Sequence, residues 1–334
     1  MGALPGVPHF YVIESVACMN QVDQGLAFLF PGQGSQSVGM LADLAENFSV
    51  VLTVFGEASE VLGYDLWALV KNGPEGQLNS TLFTQPAMLA AGVAAWRVWC
   101  ESTEVRPAWM AGHSLGEYSA LVCAGNLRFQ DGIRLVAERA RLMQEAVPAD
   151  VGAMAAVLGL ADDQVALVCE QATSPEQIVK AANFNAPGQV VIAGHREAVT
   201  RATERAKEAG AKRAVILPVS VPSHCPLMQP AADQFRHWLD DVEFDASTVP
   251  VIHNVDAALH GSANSIRKVL EQQLCGSVRW AESVRYMAGQ GVDRFIECGP
   301  GRVLAGLNKR IVSEAQTESI FDVSSLEKAK GLIS

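Results

Sequence analysis

The 334-residue chain predicts an α/β protein in which a large domain with a parallel sheet is interrupted by a small ferredoxin-like insertion of order βαββαβ. Three observations predict it. Short apolar runs bounded by Gly and Pro alternate with amphipathic helical stretches. Between residues 150 and 219 that rhythm changes to two split β-α-β halves. From 220 onward apolar strands and helices alternate again, so the larger sheet resumes.

Taken in order, residues 25–30, "GLAFLF", make a buried strand stopped by Pro31-Gly32, and a Gly-rich turn follows. Segments 37–70 and 84–101 carry apolar residues at helical spacing, among them Met88, Leu89, Val93 and Trp96. "PAWMAG" is a second strand running into Ser114, and helices then continue to about Pro148. The insertion reads strand "GAMAAVLGL", helix "ADDQVALVCEQA", strands "QIVKAANFN" and "GQVVIAGH", helix "REAVTRATERAKEAG" and strand "KRAVILPV". Beyond it, "VPVIHNV" and "RFIECG" are strands of the larger sheet. The expected division is therefore 19–149 with 220–334 as the large domain and 150–219 as the small one. Met19 opens a second plausible start, so residues 1–18 are set apart as a leader, native or not.

Composition narrows the function. With 49% apolar and 18% charged residues the chain can bury a sizeable core. A formal net charge of −11 argues against nucleic-acid binding, which needs a positive field to displace counterions. No run of about 18 apolar residues offers a membrane span. The opening "MGALPGVPHFYVIESVAC" lacks the basic start and long apolar stretch of a signal peptide, so a cytoplasmic location is expected. Seven scattered cysteines with no C-x-x-C pair, and no histidine pair at ligand spacing, predict reduced thiols and neither a zinc site nor a disulfide framework, and no cofactor is expected.

The chemistry centres on "WMAGHSLGEYSAL", Trp109 to Leu121. Ser114 stands between glycines at a strand-to-helix junction, the layout of a nucleophile elbow, and the N–H of Leu115 becomes an oxyanion donor. On the local pattern alone a glycine-flanked serine is either a nucleophile or a helix N-cap. The matching base is His224 in "VSVPSHCPLM", after a strand and bracketed by Pro222 and Pro226; a lone histidine can equally be structural. "FPGQGSQSVGM" fails as a phosphate loop, having Ser37 where a glycine and Met40 where a lysine would be needed. Its tight turn can instead bring the amide of Gln33 to a reacting oxygen, or be a plain strand-to-helix turn. Arg139, on a helix among apolar neighbours, can hold a carboxylate in a bidentate fork, either a ligand's or that of an internal salt bridge.

"FPGQGSQ", "GHSLGEYSAL", "ERARLMQEAVP", "NFNAPGQVVIAG", "VPSHCPLM", "QLCGSVRW" and "ECGPGRVL" occur in that order. Together they resemble the malonyl-CoA:acyl carrier protein transacylases of fatty acid synthesis and, more broadly, the acyltransferase domains of polyketide synthases. The resemblance spans residues 25–312 and implies an α/β-hydrolase-like large domain with the ferredoxin-like insertion already read. By motif it implies Ser114 as nucleophile, His224 as general base and Arg139 as receptor for the malonyl carboxylate. The oxyanion hole falls on the amides of Gln33 and Leu115. The family works with a Ser-His dyad whose imidazole is oriented by a main-chain carbonyl, here that of Gln273. Ser277 departs from the pattern, standing where the family usually has proline.

The implied reaction is ping-pong. Malonyl-CoA acylates Ser114, coenzyme A leaves, and the phosphopantetheine thiol of acyl carrier protein takes the malonyl group. Carrier proteins of this kind are acidic, so docking on an acidic chain calls for a local basic patch. The candidates are Arg196, Arg201, Arg205, Lys207, Lys212 and Arg213, or Arg302, Lys309 and Arg310 after the GPG turn; solvated helix faces are the bland alternative. Two rivals share the elbow: a thioesterase-like hydrolase, which an acceptor assay separates, and a carrier-binding scaffold, which has no chemical need for Ser114, His224 and Arg139 together. The length fits a discrete monomeric enzyme.

Overall fold

A computed structural model describes residues 21–148, 150–219, 221–247 and 249–333; the expected leader at 1–18 lies outside the described residues. Nine strands appear among them: β1 (Gln21–Phe30), β2 (Val105–Gly112), β3 (Gly152–Leu158), β4 (Val179–Ala186), β5 (Gln189–His195), β6 (Arg213–Ile216), β7 (Val251–Ile252), β8 (Arg294–Cys298) and β9 (Gln316–Ile320). They form two sheets, one of order β7-β2-β1-β8-β9 with every pairing parallel, the other of order β4-β5-β3-β6 with every pairing antiparallel.

The parallel sheet explains the unbroken apolar run in β1. Leu26, Phe28 and Phe30 face one core and Ala27 and Leu29 another, all five without solvent exposure. A strand covered on both faces needs no polar alternation. Phe28 meets Trp96 and Trp99 edge-on at 5.2 and 5.1 Å, and Trp99 donates from its indole to the Val105 carbonyl at 2.9 Å. This ties the buried helix Thr81–Ser102 to the start of β2.

The antiparallel sheet with helices Asp162–Ala172 and Arg196–Glu208 is the ferredoxin-like unit. Both helices cover one face, packing Val165, Val168, Ala198, Val199 and Ala202 onto Ala153, Ala155 and Val157. The opposite face, with Met154, Ala182 and Ala193, packs against Cys225 and Leu227 of the large unit.

Three local features differ from the sequence reading. Segment 37–70 is three helices, Ala42–Asn47, Ser49–Leu62 and Leu66–Asn72, starting late because Gly39 and Leu41 take positive φ. Gly63 at φ 75 and the Asp65 side chain, accepting from Ala68 N–H at 2.8 Å, separate the last two. The strand expected in "VPVIHNV" is only Val251–Ile252, because the chain folds back at once, His253 N–H donating to the Ala258 carbonyl at 3.0 Å. The edge strand β9 extends the sheet beyond β8; its sequence "QTESI" lacks an apolar run.

Candidate active site

The site forms beyond the carboxyl ends of β1, β2 and β7, the crevice where parallel sheets hold ligands. Backbone crowding explains its glycines. A Cβ on Gly112 would lie 1.9 Å from the Gly116 carbonyl, and one on Gly116 would lie 2.0 Å from the Phe30 oxygen. With both flanks that close, the chain turns sharply and Ser114 is held at φ 52. The helix Gly116–Cys123 starts directly behind it.

Ser114 Oγ lies 2.7 Å from His224 Nε2, and His224 Nδ1 lies 2.7 Å from the Gln273 main-chain oxygen. A carbonyl oxygen only accepts, so Nδ1 carries the proton and Nε2 is left to accept from the serine hydroxyl. The His224 backbone, at φ 62, donates to the Leu274 carbonyl at 3.0 Å, registering the two segments. Burial first, and the neighbouring Arg139 charge second, pull the imidazole down to about 3, so it stands neutral and able to take a proton.

Arg139 is 1% exposed and makes no ion pair among the described residues, which removes the internal salt bridge the sequence left open. Its guanidinium donates to Gln85 Oε1 at 2.7 Å, Gln273 Oε1 at 2.9 Å and Ser114 Oγ at 3.3 Å, and its Nε has no partner among the described residues. Burial pulls it down, opposed in part by the nearby Glu117 carboxylate. Among the described residues its acceptors are all neutral, and a buried cation so placed is chemically suited to receive an anion.

Gln33 follows a glycine pressed onto the elbow, since a Cβ on Gly32 would sit 2.5 Å from the His113 oxygen. The Gln33 side chain exchanges hydrogen bonds with Thr81 at 3.0 and 3.1 Å. The main-chain N–H groups of Gln33 and Leu115 donate to no acceptor among the described residues. Ser277, where proline was expected, donates to the Ala181 carbonyl at 2.7 Å, and Val278 N–H donates to Ala182 O at 2.8 Å. Hydrogen bonds to β4 hold the segment after Gln273 that a proline ring would have stiffened.

Several groups escaped the sequence reading. Glu117, one helical turn beyond Ser114, is fully buried and accepts from His253, Asn254 and Gln273. Asn254 takes the Ser114 N–H at 2.7 Å and donates to the Gly112 carbonyl at 2.7 Å, bracketing the elbow from both sides. His113 bonds Asn185 at 2.8 Å and packs tilted against Trp280, ring centroids 5.5 Å apart. The available signal was position, since His253 and Asn254 directly follow β7 at the same sheet edge as Ser114. Among the described residues no group of His, Cys, Asp or Glu has the arrangement of a metal site, and no helix is long and apolar enough to cross a membrane.

The acyl transferase domain family matches residues 27–329. The chain is 55% identical over 303 residues to the malonyl CoA-acyl carrier protein transacylase of Escherichia coli K12, covering 91% of this chain and 98% of that one. It is 43% identical to the protein of that name from Bacillus subtilis, over 91% and 96% of the two chains. Among solved structures it is similar to an acyl carrier protein S-malonyltransferase from Vibrio cholerae, 56% identical with a TM-score of 0.89 over 91% of this chain and 99% of that one. It is also similar to a malonyl-transacylase in complex with its type II PKS acyl-carrier protein, 55% identical, TM-score 0.89, over 91% and 98%.

Proposed function

We propose that this chain, which belongs to the acyl transferase domain family, moves the malonyl group of malonyl-CoA onto the phosphopantetheine thiol of acyl carrier protein, supplying extender units for fatty acid synthesis. His224 Nε2 takes the Ser114 proton as Oγ attacks the thioester carbonyl. The charge that develops on the carbonyl oxygen falls to the free amides of Gln33 and Leu115. Collapse expels coenzyme A, whose thiolate takes the proton from His224, and leaves a malonyl-serine ester. The carrier thiol then gives its proton to His224, attacks the ester and regenerates Ser114. The Gln273 carbonyl keeps the ring in the right tautomer throughout, and its dipole supports the imidazolium.

The observation that carries this reading is Arg139, a buried guanidinium without a carboxylate partner among the described residues, whose terminal nitrogen lies 3.3 Å from the nucleophile. A malonyl ester on Ser114 brings a free carboxylate to that charge. An acetyl group leaves it unpaired, a loss of roughly 1.5 to 3 kcal/mol for a charged hydrogen bond.

For the carrier, the cluster after the GPG turn is the better placed. Arg310 donates to Pro187 O and to Gln189, in the β4–β5 hairpin whose Asn185 bonds His113 beside the nucleophile. Arg205 and Lys207 instead lie on a helix across the small sheet from the face packed near His224, and Arg196 and Arg201 are engaged with main-chain carbonyls. Two separate sheets support the division into 19–149 with 220–334 and 150–219; the enzyme proposed here is a cytoplasmic monomer that needs only its two substrates and no cofactor.

Intact mass after brief incubation with malonyl-CoA tests the reading. The expected result is a malonyl adduct, absent in Ser114→Ala, that passes to holo carrier protein. An adduct lost to water at the same rate with or without carrier means a hydrolase, and no adduct means a scaffold.

A further inference from the structure

Glu117 takes no part in the chemistry, yet its carboxylate, 0% exposed, sits at the centre of the polar groups beneath the site. Oε1 accepts from His253 Nδ1 at 2.7 Å; Oε2 accepts from Gln273 Nε2 at 2.7 Å and from the Asn254 main-chain N–H at 3.1 Å. Three donors converge on two oxygens that can only accept.

Gln273, also 0% exposed, faces two partners of different kinds. Its Nε2 donates to Glu117 and, at 3.0 Å, to the Ser114 carbonyl, neither of which can donate in return. Its Oε1 accepts from Arg139 at 2.9 Å, and its main-chain oxygen orients His224. The amide therefore has a single workable orientation. Turned over, it would set an NH2 group against a guanidinium N–H and an oxygen against a carboxylate.

We propose that Glu117 is a positioning residue: by fixing the Gln273 amide it presents the acceptor that holds Arg139 in register with Ser114, so selectivity for a carboxylate-bearing acyl group is set one shell below the arginine. The inference rests on the reading of Arg139 as carboxylate receptor. Freed from Gln273, the guanidinium would keep Gln85 as its remaining strong acceptor and could pivot away from the malonyl carboxylate. Base orientation is separate, because it comes from the Gln273 main chain and not its side chain.

Glu117→Gln keeps the shape but leaves one oxygen for three donors. The ratio of kcat/KM for malonyl-CoA to that for acetyl-CoA should fall by about ten- to a hundredfold, the loss of one charge-assisted hydrogen bond. Gln273→Met, which retains the main-chain carbonyl, should lower the ratio likewise, and the double variant should fall no further than Gln273→Met. A purely structural role would depress both substrates equally. Equal losses on malonyl and acetyl, or an unchanged ratio in Gln273→Met, would overturn the proposal, and Gln273→Met decides the matter if Glu117→Gln does not fold. Arg139→Ala separates the levels: if it too leaves the ratio unchanged, the receptor reading fails; if it alone collapses the ratio, only the role of Glu117 fails.

Discussion

Ser114 and His224 both carry positive φ, 52 and 62, a conformation that non-glycine residues hold only when their surroundings enforce it. The enforcement is visible at each. Gly112, Gly116 and Asn254 clamp the serine, while the Leu274 and Gln273 carbonyls clamp the histidine. The same burial that fixes the ring also sets its charge, which gives a pH prediction. With burial and Arg139 both holding His224 below its ordinary 6.5, the imidazole stays neutral through that value, so the rate of Ser114 malonylation should remain flat as pH falls past 6.5. Rapid-quench acylation across pH checks this, and an acid limb centred at or above 6.5 would contradict it. Ser114, His224 and Arg139 were legible in the sequence because each lies in a local motif. Glu117 and Asn254 were not, because their partners are 136 to 156 residues away and only the fold brings them together.

At the scale of elements, strand β8 carries a buried group the chemistry does not use. Glu297 Oε1 and Oε2 accept from Leu304 and Ala305 N–H at 3.1 and 2.9 Å, capping the helix Val303–Ile311 that follows the GPG turn. Burial outweighs those donors and pushes the carboxyl up to about 7 from its ordinary 4.5. Below 4.5 both folded and unfolded chains hold the proton; between 4.5 and about 7 only the folded one does, so this site's contribution to stability is lost as pH rises through that window. The full change is about 3 kcal/mol. Glu297→Gln cannot titrate, so relative to the parent it should gain stability between pH 5 and pH 8, read from denaturant midpoints at the two pH values. A constant difference would show that Glu297 is ionised throughout. Elements with their own pattern were readable: β1 from five consecutive buried apolar residues, the insertion from its changed rhythm. The edge strand β9 and the shortness of β7 were not, because edge pairing depends on a neighbouring strand and not on local hydrophobicity.

For the whole molecule, the two sheets meet at the β4–β5 hairpin, which carries Asn185, Pro187 and Gln189, and Arg310 after the GPG turn borders that seam. Reversing Arg302 and Lys309 to glutamate should raise KM for carrier protein several-fold, more at low salt, while malonyl-CoA hydrolysis is unaffected. The same reversal at Arg205 and Lys207, beyond the small sheet, should change neither. Equal effects of the two pairs on both reactions would refute docking at the seam. Read along the chain alone, periodicity and turn residues pointed to the α/β class and the place of the insertion, because those signals depend on neighbours a few residues apart, while the Ser114–His224 dyad came from the ordered motifs of the family resemblance. Tertiary structure decided the rest: that among the described residues Arg139 is buried with no carboxylate partner and the amides of Gln33 and Leu115 have no acceptor, and that Glu117 lies beneath Gln273. A hydrogen-bond partner or a missing counter-ion is a property of space, fixed only when segments more than a hundred residues apart pack against one another.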